Sequence, residues 1–303
     1  MREEVVITDV GPRDGLQNQS RVLTVDQRTA LIESLYAAGV SQVEVGSFVS
    51  PKLVPAMANT DAVVAKINAL PGRKATTLIL NRRGYEMAHD AGSHSVTMVL
   101  YGSEGMARKN ANLGMEDAEA ITLEIMQQAA SDGIEVIATI AVAFECPFDG
   151  ATDPTAVERI AAKFVDAGAA RAVLADTIGA ANPRQVAQLT ERLLASLPAE
   201  KIGCHFHDTR ALGLANVYAA LESGVRFFDA SIAGLGGCPF APGASGNVAT
   251  EDAVMLIEQL GFDSGINMQR LLEASDLAQA LTGSAPGGRA KVWLRRQIEK
   301  ATS

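Results

Sequence analysis

The sequence predicts an α/β protein, a closed (β/α)8 TIM barrel with additional C-terminal helices. Eight short apolar runs recur along the 303 residues, helix-compatible segments separate them, and polar residues cluster where the runs end. Near-continuous apolar runs are typical of parallel strands buried on both faces. Because a barrel of this type takes about 250 residues, one such domain fits the length of the chain.

The eight strand-like segments are spread evenly along the chain. We predict strands at Val5–Asp9, Gln42–Val45, Ala75–Leu80, Ser95–Leu100, Ile134–Ala141, Arg171–Ala175, Ile202–His207 and Arg226–Ile232. The intervening segments have helical patterns, several with Pro, Asp or Glu in the first turn. We predict helices at Val25–Ala38, Asp61–Ala69, Glu116–Ser131, Pro154–Ala167, Pro183–Ser196 and Gly213–Glu222.

A doubly wound sheet would also alternate strands and helices, but it does not favour eight evenly spaced repeats. Two further helices, Thr250–Leu260 and Met268–Leu281, are predicted after the eighth strand. The sequence shows no linker and no second domain. We therefore predict one barrel domain at residues 1–285 and a mobile tail at residues 286–303.

The composition is that of a globular protein with a large core. Hydrophobic residues make up 48% of the chain and charged residues 20%, and the formal net charge is −9. No basic run is dense enough to attract nucleic acid or an anionic membrane, so neither is an expected partner. No apolar run approaches the roughly 18 residues of a membrane span, and the first residues lack signal-peptide organisation. We expect a cytoplasmic protein.

The three cysteines are widely spaced and form no CxxC motif, so neither a disulfide framework nor a zinc ribbon is predicted. Cys146 and Cys204 have the surroundings of buried, inert thiols. Cys238 instead ends a glycine-dense loop, whose backbone freedom would let the thiol close over a substrate. An inert buried cysteine is the alternative for Cys238, but we favour a functional thiol.

His205 and His207 are two residues apart on an apolar strand, which puts both imidazoles on the same face. This spacing predicts a metal-binding pair, and a hydrogen-bonded core pair is the alternative. The other two histidines, His89 and His94, lie in a polar, glycine-bearing stretch. We predict that both are exposed to solvent.

Active sites of (β/α)8 barrels lie at the C-terminal ends of the strands. Polar residues fall at this end of five predicted strands: Arg13 and Asp14, Glu44, Asp176, His205 and His207, and the loop that leads to Cys238. One carboxylate and two imidazoles would leave coordination positions open for substrate oxygens and water. This donor set permits Mg²⁺, Mn²⁺ or Fe²⁺, and oxygen-rich completion of the site favours Mg²⁺ or Mn²⁺.

Two further side chains suit such a site. Arg13 is a permanent cation that would stabilise an enolate or polarise a carbonyl, and it can also form a salt bridge. Asn247 follows a glycine-containing turn and precedes a helix. It is suited either to cap that helix or to direct its amide oxygen to a metal.

Taken together, these residues resemble those of the 3-hydroxy-3-methylglutaryl-CoA lyase family of metal-dependent barrels. The resemblance covers nearly the whole chain, and its last block is close to the family's active-site cysteine signature. The most specific blocks are VGPRDGLQN at 10–18, SFVSPKLVPAMA at 47–58, DTIG at 176–179, HFHDT at 205–209 and SIAGLGGCPFAPGASGNVATED at 231–252.

The resemblance implies roles for individual residues. It implies that Arg13 contacts the acyl group of the substrate and that Cys238 is catalytic. Glu44 and Asp176 match acidic positions that orient water, Arg13 or the reacting hydroxyl. The implied ligands of a divalent cation, Mg²⁺ or Mn²⁺, are Asp14, His205, His207 and Asn247.

Lys109 and Asn110 match a KN pair in the loop after the fourth strand, a contact for CoA or substrate. The implied reaction is retro-Claisen cleavage of 3-hydroxy-3-methylglutaryl-CoA to acetyl-CoA and acetoacetate. The metal would chelate the 3-hydroxyl and the thioester carbonyl, and with Arg13 it would bear the enolate charge. Cys238 would deliver or relay the proton that completes acetyl-CoA. The resemblance also suggests a homodimer.

Two departures from the family pattern concern the substrate. Arg210 replaces the tyrosine of HDTYG, and Glu145 replaces the first glycine of FGCPYEG. If Arg210 points inward, it would pair with a carboxylate on a shorter acid arm, as in citramalyl-CoA. The alternative is that both residues lie on the rim. Because one methylene discriminates by only about 1–3 kcal/mol, dual activity is also compatible with the sequence.

Two other functions fit parts of the sequence less well. Acyl-transfer synthases of the same superfamily usually carry extra C-terminal domains, whereas little of this chain follows Asn247, so we expect a lyase. A barrel that only binds acyl-CoA would have no chemical need for the complete set of implied site residues. That set is Arg13, Asp14, His205, His207, Cys238 and Asn247.

Overall fold

A computed structural model of the chain describes residues 2–237, 246–284 and 287–302, with side chains up to residue 300. Within these residues eight parallel strands close into a barrel, which confirms the predicted (β/α)8 fold. The strands in chain order, including a separate antiparallel hairpin of β6 and β7, are β1 (Val6–Asp9), β2 (Gln42–Ser47), β3 (Thr76–Ile79), β4 (Ser95–Tyr101), β5 (Glu135–Ala141), β6 (Glu145–Cys146), β7 (Gly150–Ala151), β8 (Arg171–Asp176), β9 (Ile202–Phe206) and β10 (Phe227–Ala230).

The barrel strands neighbour one another in the order β1, β10, β9, β8, β5, β4, β3, β2, and β2 returns to β1. The last strand closes the barrel by pairing with the first, from Val6 opposite Phe227 to Asp9 opposite Ala230. On its other side β1 pairs with β2, where Thr8 lies opposite Gln42. Closure therefore leaves no barrel strand with a free edge.

Helices follow the strands, and all eight predicted helices are present with small differences in their ends. Helix α1, for example, buries Leu31, Ile32 and Leu35 in the main core. The helices of the described residues are α1 (Val25–Ala37), α2 (Thr60–Asn68), α3 (Arg82–Asp90), α4 (Glu104–Ala111), α5 (Met115–Asp132), α6 (Pro154–Asp166), α7 (Pro183–Leu194), α8 (Gly213–Glu222), α9 (Thr250–Gln259), α10 (Met268–Thr282) and α11 (Lys291–Thr302).

Helix α3 was not predicted, because its sequence is polar and contains a glycine. The side chain of Asn81 caps the helix by accepting the backbone N–H of Gly84 at 2.9 Å, and Tyr85 is buried beneath it. A good cap and one buried face are therefore enough to form this helix. His89 in α3 and the following His94 are exposed, as predicted.

The predicted tail contains helix α11, and backbone hydrogen bonds hold the segment that precedes it. The N–H of Gly288 donates to Glu251 at 2.8 Å, and the N–H groups of Arg289 and Ala290 donate to Asp252 at 2.7 and 3.0 Å. Ion pairs also join α11 to α10. The mobility of this segment stays a prediction. No helix in the described part of the chain has the length and apolarity to cross a bilayer.

Candidate active site

A cavity of 360 Å³ opens where the chain leaves the C-terminal ends of the barrel strands and extends into the barrel interior. Apolar residues from the β2, β3 and β4 side form one wall: Val49, Leu53, Val54, Leu80 and Met106. The polar part of the lining comes from β1, β2 and β9 and the turns after them, and it carries five of the predicted site residues: Arg13, Asp14, Glu44, His205 and His207. The structure therefore brings together polar residues that are far apart in the sequence.

Asp14, His205 and His207 form the polar centre of the cavity. One potential ligand atom from each residue lies within 4.8 Å of the other two. The Nε2 atoms of the two imidazoles are 3.2 Å apart. All three residues are buried, with exposed fractions of 9%, 7% and 6%. This is the one-carboxylate, two-imidazole arrangement that the sequence predicts.

A tight turn directs Asp14 into this centre. A single turn of π-helix, Gly11–Gly15, follows β1, and the N–H groups of Asp14 and Gly15 both donate to the carbonyl of Val10. A Cβ atom on Gly11 would lie 2.8 Å from both Asp9 Oδ1 and Ile232 Cγ2. Only glycine therefore fits at the start of the turn.

The fourth predicted ligand, Asn247, lies against Asp14. Its Nδ2 donates to Asp14 Oδ2 at 2.8 Å and to the carbonyl of Leu235 at 3.1 Å. Its Oδ1 atom is buried and has no hydrogen-bond partner among the described residues. Because a buried amide oxygen without a partner is costly, this atom fits the role of a ligand to a cation. The donor set thus suits a hard divalent ion.

The charges of the site are mutually dependent. Burial alone would raise the pKa of Asp14, but Arg13 and the two imidazoles lower it to about 2. Burial and the neighbouring His205 lower the pKa of His207 to about 4. An ionised carboxylate and a neutral imidazole are the forms that bind a metal.

Arg13 is held between two carboxylates. Its Nη1 donates to Asp14 at 2.6 Å, and its Nε donates to Glu44 in a short contact. Glu44 is almost fully buried, and burial raises its pKa although Arg13 opposes the shift. The salt bridge expected as one role of Arg13 is therefore present, and it orients the guanidinium at the cavity wall.

Two residues at the centre were not singled out from the sequence. Asp229 on β10 lies 3.2 Å from His205 Nδ1, and Gln17 donates to Asp14 at 2.9 Å. A carboxylate that accepts a hydrogen bond from Nδ1–H fixes which imidazole nitrogen faces the cavity. An acidic residue between Phe228 and Ala230 of a predicted strand was the available signal for Asp229.

Asp176 ends β8 but does not line the described cavity. Its Oδ1 accepts the backbone N–H groups of Ala180 and Ala181 at 2.8 and 3.1 Å. Its Oδ2 is buried without a partner in the described part of the chain, and burial raises its pKa to about 6. Asp176 therefore holds the loop that follows β8, and its catalytic role stays a prediction.

Arg210 lies on the rim and does not point into the cavity. Its guanidinium donates to backbone carbonyls of the loop after β8. The acceptors are Gly179 at 3.0 Å, Ala181 at 3.3 Å and, in a short contact, Ala180. Glu145 lies on the β6–β7 hairpin, also outside the cavity lining. The structure thus favours the rim alternative for both departures from the family pattern.

Lys109 and Asn110 are on helix α4, not in a loop as expected. The side chain of Ser103 caps this helix by accepting the N–H of Met106 at 3.3 Å. Asn110 lines the cavity and donates to the Tyr101 hydroxyl at 3.0 Å, whereas Lys109 is exposed and does not line it.

The three cysteines differ in what the structure records. Cys146 and Cys204 are buried free thiols, as expected. Burial raises the pKa of the Cys204 thiol, which keeps it protonated and unreactive. Cys238 lies outside the described residues, so its proposed role stays a prediction.

The fold and the centre together define a (β/α)8-barrel enzyme with a site suited to a divalent cation at the ends of its strands. The sequence profile described as HMGL-like matches residues 4–278. The chain therefore belongs to the HMGL-like family, which confirms the predicted family and a lyase-type enzyme.

Individual relatives agree over nearly their full lengths. The chain is 40% identical over 288 residues to the hydroxymethylglutaryl-CoA lyase of Pseudomonas mevalonii, covering 95% of this chain and 96% of that protein. It is 44% identical over 294 residues to the (R)-citramalyl-CoA lyase of Chloroflexus aurantiacus, covering 93% and 92%. The crystal structure of hydroxymethylglutaryl-CoA lyase from Pseudomonas aeruginosa has a TM-score of 0.93 and 37% identity, covering 98% of this chain and 99% of that one.

Proposed function

We propose that the protein cleaves 3-hydroxy-3-methylglutaryl-CoA to acetyl-CoA and acetoacetate with the help of Mg²⁺ or Mn²⁺. The observation that carries this proposal is the buried set of Asp14, His205 and His207 beside the fixed guanidinium of Arg13. Relatives with full-length similarity that are named as hydroxymethylglutaryl-CoA lyases support the substrate.

The reaction breaks the bond between C2 and C3 of the acyl chain. The 3-hydroxyl loses its proton and becomes the ketone of acetoacetate, while the bonding electron pair stays on C2 as the enolate of acetyl-CoA. Protonation of C2 then completes acetyl-CoA. The site therefore has to remove one proton, stabilise a negative charge and return one proton.

Asp14, His205 and His207, with the unpartnered oxygen of Asn247, would hold the cation. When bound, the cation supplies Lewis acidity that favours ionisation of the 3-hydroxyl and stabilises negative charge on the thioester oxygen. Asp229 orients His205 for this task by accepting a hydrogen bond from Nδ1–H.

The polar centre formed by Asp14, His205 and His207 is the metal-type centre of the cavity. Arg13 lines the cavity next to it and brings a positive charge that does not titrate. We infer that it hydrogen-bonds the thioester oxygen and stabilises the enolate. Glu44 holds this guanidinium in place, so the arginine does not need to reorganise when the charge develops. Cys238 is proposed to return the proton to C2.

A citramalyl-CoA lyase is the second candidate, supported by the relative from Chloroflexus aurantiacus. Its substrate has an acid arm that is one methylene shorter. Arg210, the candidate partner of such an arm, donates to three backbone carbonyls at the rim. We therefore place 3-hydroxy-3-methylglutaryl-CoA first.

The experiment compares release of acetyl-CoA from 3-hydroxy-3-methylglutaryl-CoA and from citramalyl-CoA, with Mg²⁺, Mn²⁺ or EDTA. We expect metal-dependent cleavage with preference for the first substrate and a loss of at least about 100-fold in Asp14→Ala, because one ligand is removed. A preference for citramalyl-CoA would keep the mechanism and overturn the substrate. No cleavage of either compound would overturn the proposed function.

We also propose that the protein is a homodimer, as the family resemblance suggests. Sedimentation at twice the chain mass of 31.7 kDa would support the dimer, and sedimentation at the chain mass would contradict it. The cytoplasmic location stays a prediction.

A further inference from the structure

Arg171 is a charged residue inside the barrel that the proposed reaction does not use. It is the first residue of β8, and its side chain lines the cavity. Val173 and Ala175 of β8 lie opposite Gly203 and His205, respectively, of the neighbouring β9. Arg171 therefore lies on the same inward face of β8 as Val173 and Ala175, towards the floor of the cavity.

A glycine on β9 makes room for this arginine. A Cβ atom on Gly203 would lie 3.0 Å from Arg171 Cδ, so the aliphatic part of the side chain passes directly over that position. Gly203 precedes His205 by two residues on the same strand face, which corresponds to about 6.6 Å along the strand. The guanidinium thus lies one layer of side chains below the metal-type centre.

The guanidinium has no hydrogen-bond partner in the described part of the chain. Its central carbon stacks 3.6 Å from the centroid of the Phe227 ring, and its Nε is buried without a partner. Asp229 and Glu135 are the acidic groups that act on it, but the hydrogen bond of Asp229 goes to His205. Arg171 is partly buried, and its neighbours remove much of the water around it. A partly desolvated guanidinium that forms no ion pair is costly, so an anionic ligand is the expected partner.

The cavity lining contains one other arginine, Arg13, which the proposed reaction already uses. Arg13 is bonded to Asp14 and Glu44, whereas Arg171 retains its donors. The wall between them carries hydroxyl groups of Thr97 and Thr139, which suit a polar ligand. A negatively charged group that enters below the metal-type centre would therefore meet Arg171.

We propose that Arg171 binds the terminal carboxylate of the acyl group and so selects acyl-CoA esters of dicarboxylic acids. This inference rests on the proposed function, since it concerns the same cavity and substrate. The depth of Arg171 favours an acid arm with a methylene between the reacting carbon and the carboxylate. Arg171 is thus a specificity residue for 3-hydroxy-3-methylglutaryl-CoA over citramalyl-CoA.

The test uses two unreactive ligands of equal chain length. Glutaryl-CoA has the terminal carboxylate and valeryl-CoA has a methyl group in its place, and neither has the 3-hydroxyl needed for cleavage. Calorimetric titration measures both affinities in the wild type, Arg171→Met and Arg171→Lys. Arg192→Met is the matched control, because Arg192 is a surface arginine paired with Glu158.

We expect the wild type and Arg192→Met to prefer glutaryl-CoA, and Arg171→Met to lose about 10- to 100-fold of that preference while its affinity for valeryl-CoA is unchanged. Arg171→Lys should recover part of the preference, because the charge remains. Since an unpaired and partly desolvated charge is removed, Arg171→Met should also unfold at a higher temperature, by about 2 °C or more.

Each outcome bears on one of the two claims. If the wild type cleaves 3-hydroxy-3-methylglutaryl-CoA and Arg171→Met keeps the full preference for glutaryl-CoA, the assignment of Arg171 is wrong and the proposed function stands. A lower unfolding temperature of Arg171→Met together with that unchanged preference would make Arg171 a structural residue. If the wild type cleaves no substrate, the proposed function itself fails.

Discussion

Asp9 shows how much the environment of a single carboxyl group matters in this barrel. The residue is fully buried below the turn that carries Asp14, and it accepts hydrogen bonds from Gly11 N–H at 2.8 Å and the Thr250 hydroxyl at 2.6 Å. Burial outweighs these bonds and raises the pKa of Asp9 to about 7. The nearby Glu251 acts in the same direction.

Because the folded-state pKa of Asp9 lies above the value of 3.8 for an exposed Asp, the folded state binds more protons between these two values. The stability contributed by this proton is present below pH 4 and is lost as the pH rises through 7. We expect Asp9→Asn to remove this pH dependence. The stability difference between wild type and variant should change by up to about 4 kcal/mol between pH 4 and pH 8.

Chemical denaturation of both proteins at each pH measures this difference, and contributions of other titrating groups largely cancel in it. Asp26→Asn is the control, because Asp26 is an exposed acid on α1. A constant difference between wild type and Asp9→Asn over this range would contradict the pKa assigned to Asp9.

For individual residues, the sequence predicts best where their spacing matches the side-chain period of a strand or helix, because such residues share one face of that element. The pair His205 and His207 was predictable because alternate residues of a strand share a side. Arg171 and Asp229 were inside predicted strands, but their importance depends on which residues of other strands face them. The rim position of Arg210 depends on backbone carbonyls of another loop, which no local pattern specifies.

Helix α9 shows how an element can organise its neighbours. Two consecutive acidic residues in its first turn, Glu251 and Asp252, are buried and accept backbone N–H groups of the segment before α11. Glu251 also accepts the Ser275 hydroxyl of α10 at 2.8 Å. The start of α9 thus anchors the two helices that follow it.

We expect Asp252→Ala to release the segment from residue 287 onwards, because two backbone hydrogen bonds lose their acceptor. Hydrogen–deuterium exchange of this segment should become faster in the variant by about 10-fold or more, with exchange in the barrel strands unchanged. Equal exchange in both proteins, already fast in the wild type, would support the mobile tail expected from the sequence.

Among the secondary-structure elements, the strands and the long helices could be predicted from the periodicity of apolar residues. Helices α3, α4 and α11 could not be predicted in this way. These three helices are held by side-chain caps or by contacts with distant segments, such as Asn81 on Gly84 and Asp276 with α11. Capping residues are also common in loops, so they do not by themselves identify a helix. A short polar segment also has too few apolar residues to show a helical period.

For the molecule as a whole, the proposed cation should couple to stability, because its ligands come from parts of the chain that are far apart in the sequence. Asp14 follows β1, and His205 and His207 belong to the β9 region, so binding would link distant parts of the barrel. Unfolding separates these ligands. Saturating Mn²⁺ at 100 times its dissociation constant should therefore stabilise the fold by about 2.7 kcal/mol.

Thermal unfolding with Mn²⁺ or EDTA measures this effect. We expect the largest shift in the wild type, a smaller shift in Asp229→Asn because His205 loses a charged partner, and none in Asp14→Ala. Asp26→Asn should behave as the wild type. Equal shifts in wild type and Asp14→Ala would place the cation elsewhere.

The pairing of the first strand with the last also has a consequence for biosynthesis. At 5–20 residues per second, the ribosome would make Val6 on the order of 10–40 s before its partner Phe227. Until then β1 has a neighbour only in β2, and its other edge has nothing to bind. We therefore expect the nascent chain to need protection from aggregation until translation is nearly finished, because no half of the closed barrel is complete without the strand that emerges last.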